Sequence, residues 1–68
     1  MKLQEAIVFV LVRGGHGLTT DKIAEIINAN HLYQRKDGNP VTSKQVYAVI
    51  CRYASLFIKE EGRIRLLM

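Results

Sequence analysis

The chain has 68 residues, 49% of them hydrophobic and 24% charged, with a net charge of +4. A chain of that length buries only roughly 60% of its unfolded surface, which predicts one domain over residues 1–68, too little enclosure for an active site, and no enzyme or small-molecule substrate. The composition excludes a disordered tail, and the lone Cys51 excludes an internal disulfide or a Cys/His metal centre, so no metal or cofactor is expected and an intracellular, reducing setting fits best: cytoplasmic, and nucleoid-associated in a bacterium.

Ala6 to Val12, AIVFVLV, is rich in β-branched residues and reads as a strand on propensity alone. Leu3, Ile7, Val10 and Leu11 nevertheless share one face at helical spacing, with Lys2, Glu5 and Arg13 opposite and Gly14 as a stop, so the expectation is a helix near 3–13. That phase puts Val8, Phe9 and Val12 on the outer side as an apolar patch, a surface of the kind that meets partners. Glu5 and the lack of an A-x-A site argue against a secretory signal, and seven apolar residues cannot span a membrane, so no membrane partner is expected.

Gly14-Gly15-His16-Gly17 lacks the spacing of a phosphate-binding loop and is a connection, with His16 as a turn residue. Leu18 and Thr19 are assigned a short strand. Thr19 then caps a helix near 19–29, with Leu18 and Ile23 as a hydrophobic staple. Ile23, Ile26 and Ile27 form its core stripe, and Asn28 and Asn30 suit its end because asparagine tolerates left-handed backbone.

His31 to Val41, HLYQRKDGNPV, is a connection of about eleven residues, longer than the usual turn of three or four between such helices. Leu32 and Tyr33 pin its base to the core. Arg35 and Lys36 at its tip either reach phosphates or are simply solvated.

Four start signals converge on the next helix, expected near 42–54: Pro40, Thr42 as N-cap, Gln45 completing a capping box, and the staple of Val41 with Val46. Val46, Val49, Ile50 and Tyr53 are its buried stripe. Lys44, Gln45, Ala48, Cys51, Arg52 and Ser55 face outward, and small residues ringed by hydrogen-bond donors suit a DNA groove.

The pattern then switches to period 2. Leu56 to Glu60 and Arg63 to Leu67 flank a two-residue Glu61-Gly62 turn, with Gly62 where a positive φ is needed. Pairing Glu60 with Arg63 puts Phe57, Ile64, Leu66 and the Lys59 stem on the inner face, with Glu60, Arg63 and Arg65 outward. The predicted class is α+β, mostly α: three helices and a C-terminal β-hairpin wing in the order of a winged helix-turn-helix. All of the charge excess follows residue 30, where seven cations face three anions. A one-sided basic half favours a polyanion.

LTTDKIAEII, LYQRKDGNPVT, KQVYAVICRYASLF and GRIRL together resemble the HARE-HTH family of winged helices, across about Leu3 to Leu67. The family is named after homeobox proteins, Asx-like chromatin proteins and restriction endonucleases, and a similar domain opens the delta subunit of bacterial RNA polymerase. The resemblance implies a winged helix assigned to DNA binding and transcription regulation. Many members carry further domains, and no function that needs a fused enzyme is expected of these residues.

The leading expectation is therefore a non-enzymatic module on double-stranded DNA, its third helix in the major groove. Lys44, Gln45, Tyr47 and Arg52 are the candidates there, Gln45 and Arg52 for base edges and Lys44 for a phosphate. Arg63 and Arg65 on the wing and Arg35 and Lys36 in the loop would touch the backbone. The alternative is an adaptor in a transcription or restriction-modification assembly, meeting a protein partner or fused domain through Val8, Phe9 and Val12. Ser43, Ser55, His16 and His31 form no arrangement of nucleophile and base.

Overall fold

The computed structural model describes residues 1–67. Its architecture is α+β: helices α1 (Leu3–Gly14), α2 (Thr20–Ala29) and α3 (Ser43–Arg52), then strands β1 (Phe57–Glu60) and β2 (Arg63–Leu66) paired as an antiparallel hairpin.

Periodicity outweighs β-propensity in the first segment, because as a helix it sends Leu3, Ala6, Ile7, Val10 and Leu11 to one buried face. The Lys2 amide donates to Glu5 Oε1 at 2.8 Å, satisfying one of the donors left over at the helix start. The helix includes Gly14, the expected stop, so it ends one residue later than position 13, and it closes where the Gly15 amide donates to the Leu11 carbonyl.

Thr19 caps α2 as its sequence predicts, its Oγ1 accepting from the Lys22 amide at 3.1 Å. Ile23, Ala24 and Ile27 are buried and Ile26 half-buried. The expected asparagine in left-handed backbone is not found; His31 takes that conformation (φ 52°), and the Leu32 amide reaches back to the Ile27 carbonyl at 3.0 Å. Both asparagine amides hold carbonyls instead, Asn30 that of Ile26 and Asn28 that of Val41, each at 2.9 Å.

Thr42 and Gln45 form the capping box of α3, and the staple residues Val41 and Val46 are both buried. The helix is shorter than expected. After Arg52 the chain turns over residues 53–56, with the Tyr53 amide on the Val49 carbonyl and the Leu56 amide on the Tyr53 carbonyl, so Ser55 lies beyond the helix.

The hairpin has the predicted register, Glu60 opposite Arg63. Glu61 (φ 52°) and Gly62 (φ 78°) both lie at positive φ, the requirement of the two-residue turns that match strand twist. The ion pair is diagonal rather than directly across, from Glu60 to Arg65 at 3.1 Å. Leu18 adds the short strand contact expected of it, exchanging two hydrogen bonds with Ile64 (3.0 and 2.7 Å).

Every element contributes to one core, whose largest fully buried side chains are Ile7, Ile23, Ile27, Val46 and Ile64. Leu32 and Tyr33 pack against it, as predicted for the base of the long loop. Among the described residues no helix is long and apolar enough to cross a membrane, and no group of His, Cys, Asp and Glu is placed to hold a metal ion.

Candidate nucleic-acid interface

Burying Val46 and Ile50 turns the opposite side of α3 outward. Lys44, Tyr47, Ala48, Cys51 and Arg52 are all exposed, and their i, i+3, i+4, i+7, i+8 spacing makes one continuous stripe. Ala48 and Cys51 sit in the middle beside the large Tyr47, with cations at the ends. Gln45 does not belong to this stripe. It is half-buried, and its Oε1 accepts from the Thr42 amide at 3.1 Å and from Arg35 Nη1 at 3.3 Å. The capping box that starts the helix takes up the oxygen that adenine recognition would need.

Tyr47 connects α3 to the hairpin. The Lys59 ammonium donates to Tyr47 Oη at 3.1 Å and sits 4.6 Å from the centre of its ring, a cation–π geometry. The hydrogen bond to Tyr47, with the pull of any phenolate there, raises Lys59 above the ordinary lysine range and keeps it charged. Lys59 starts on the inner face opposite Ile64, as expected, and its exposed ammonium reaches out to join the α3 stripe.

The loop cations divide. The Arg35 guanidinium is held by Asp37 Oδ2 at 2.7 Å as well as by Gln45, so Arg35 ties the loop to the start of α3. The Asn39 amide donates to Asp37 Oδ1 at 3.0 Å, and that bond, with the Arg35 charge, lowers the Asp37 carboxyl below its ordinary range. Lys36 beside them is exposed. Among the described residues Lys36, Lys44, Arg52 and Arg63 make no side-chain hydrogen bond or ion pair, whereas Arg65 is engaged by Glu60. An exposed pair of that kind contributes only about 0–1 kcal/mol and exchanges readily for a phosphate.

The three residues expected as an apolar patch on α1 are not equivalent. Val8 is half-buried and packs against the core, a correction that follows from its place at the edge of the buried stripe. Phe9 (39% exposed) and Val12 (59%) face outward, with the Arg13 guanidinium 5.2 Å from the Phe9 ring centre. Phe9 also forms a wall of a cleft of about 510 Å³ shared with Leu18, Ile26 and Leu32.

The chain matches no family model, no curated protein and no solved structure.

Proposed function

We propose that the domain is a winged helix-turn-helix of the HARE-HTH type that binds double-stranded DNA without catalysing a reaction. The observation that carries this reading is the outward stripe of α3. Ala48 and Cys51 allow close approach, Lys44 and Arg52 flank them, and Lys59 extends the basic surface onto the hairpin. A helix about 10–12 Å across fits a major groove about 12 Å wide. Arg52 is the base-reading candidate and Tyr47 an apolar contact, while Lys44, Lys59 and Arg63 meet phosphates. Lys36 and, after leaving Glu60, Arg65 complete the backbone contacts. Gln45 is reassigned from base contact to the cap that orients the helix, and Arg35 from phosphate contact to loop anchor.

The resemblance of LTTDKIAEII and KQVYAVICRYASLF to HARE-HTH members supports the same reading, as does the confinement of the charge excess to residues after 30. A second role, as an adaptor in a transcription or restriction-modification assembly, is favoured by the exposure of Phe9 and Val12 and is compatible with the first, because those residues lie outside the α3 stripe. The test is an NMR titration of the labelled protein with short duplex DNA at low and high salt. Shifts concentrated on Lys44–Arg52, Lys59 and Arg63 that fade with salt support DNA binding. Silence at those residues at low salt contradicts it.

A further inference from the structure

The exposed side of α1 is self-complementary. Phe9 stands at its centre, with Glu5 four residues before it and Arg13 four residues after it, all three exposed. At 1.5 Å per residue the two charges lie about 6 Å on either side of the ring along the helix axis. Among the described residues neither charge has an ion-pair partner: Glu5 accepts only from the Lys2 amide, and Arg13 lies against the Phe9 ring. A two-fold axis through Phe9, perpendicular to the helix, brings a second α1 alongside in the antiparallel sense. Each Glu5 then lies level with Arg13 of the other copy, and Phe9 meets Phe9. An isologous interface requires such a pattern, since the same patch must satisfy itself.

We propose that α1 is a homodimer surface, with a second copy of this chain as its occupant, paired antiparallel about Phe9. The apolar centre is Phe9 with Val12, and the two Glu5–Arg13 pairs set direction and register. Two twelve-residue helices, each about 18 Å long, pair over less than the roughly 1,200–2,000 Å² of a stable interface. The dimer is therefore weak and concentration-dependent, with Kd between about 10 µM and 1 mM. The proposal does not depend on DNA binding, since the stripe contains none of the residues assigned to DNA.

The test is a charge exchange read by sedimentation equilibrium of the full chain from about 20 µM to 2 mM. The unaltered chain is expected to show a monomer–dimer equilibrium. Glu5→Arg sets a new guanidinium against Arg13 of the other copy, twice per dimer, and Arg13→Glu likewise sets a new carboxylate against Glu5, so each variant alone should dimerise about tenfold more weakly. Mixed in equal amounts, the two variants meet as opposite charges at both positions and should recover the original affinity as a heterodimer. Because Glu5 also caps α1, circular dichroism checks that each variant is folded, and recovery on mixing cannot come from a folding defect. A chain that stays monomeric at 2 mM overturns the proposal. So does dimerisation indifferent to both substitutions, or loss that mixing does not repair.

Discussion

The side-chain amide of Asn28, at the end of α2, holds both backbone groups of Val41: its Oδ1 accepts from the Val41 amide and its Nδ2 donates to the Val41 carbonyl, both at 2.9 Å. One side chain thus supplies what a neighbouring strand would, and fixes the far end of the long loop one residue before the N-cap of α3. The start of the α3 stripe is positioned from α2 by this pair.

Asn28→Ala leaves two part-buried backbone groups without partners and should cost about 1–3 kcal/mol. Urea denaturation monitored by circular dichroism measures it. A loss below about 0.3 kcal/mol would show that water replaces the amide freely and that the loop is held elsewhere.

Gly17 and Gly62 should differ in their tolerance of a methyl group. At Gly17 (φ 85°) a Cβ would come 2.7 Å from Arg65 Cγ and 3.3 Å from the Ile64 carbonyl oxygen, whereas at Gly62 (φ 78°) it meets nothing within 4 Å. Gly62→Ala then costs only the left-handed backbone, about 1–2 kcal/mol, and Gly17→Ala costs more because β2 must shift as well. Gly62→Val should damage the hairpin beyond Gly62→Ala, since branching at Cβ is poorly tolerated at positive φ. Thermal unfolding ranks the three variants, and Gly17→Ala as mild as Gly62→Ala would contradict the close approach of β2.

The loop should loosen in acid. The Asp37 carboxyl is held below 3.8 by the Asn39 amide and the Arg35 charge, so the stability it contributes is complete above 3.8 and is lost as pH falls through the lower value of the folded state. The Asn39 amide resonance should titrate with a midpoint under 3.8. A midpoint at or above that value would mean the turn is not closed by the carboxylate.

Lys59 titrates in the opposite sense. Its pKa is raised above 10.5, chiefly by the Tyr47 hydroxyl, so its contribution is present below 10.5 and is lost as pH rises through the higher folded value. Tyr47→Phe should lower the Lys59 midpoint in an NMR titration while leaving α3 folded. Equal midpoints in the two proteins would show that the hydroxyl contact is not made in solution.

Much of the fold is legible in the sequence because its signals are local. The stripe of Leu3, Ile7, Val10 and Leu11, the caps at Thr19 and Thr42, and the Glu61-Gly62 turn each act within a few residues, and each has its expected role in the structure. What was not legible joins positions ten to thirteen apart: Arg35 to Gln45, Tyr47 to Lys59, Asn28 to Val41. These depend on how elements pack, which periodicity does not encode. Gln45 is different. Its capping box is plain in the sequence and draws the side chain back onto the Thr42 amide, away from the outward stripe; the second acceptance, from Arg35, which fills the oxygen, is again a contact that only packing reveals.

The salt dependence of duplex binding, followed by fluorescence anisotropy, tests the central claim most directly. Lys36, Lys44, Lys59 and Arg63 neutralising one phosphate each give a slope of log affinity against log salt of about −3.6, steepening to about −4.5 when Arg65 leaves Glu60. Arg63→Ala with Arg65→Ala should flatten the slope by about two units and weaken all sequences alike, whereas Arg52→Ala should lower discrimination between sequences by about 1–3 kcal/mol. Removing Lys44, Arg52, Arg63 and Arg65 together should abolish binding. Binding that survives that fourfold change, or that is absent from the unaltered protein at low salt, would contradict the assignment of the α3 stripe and hairpin to DNA.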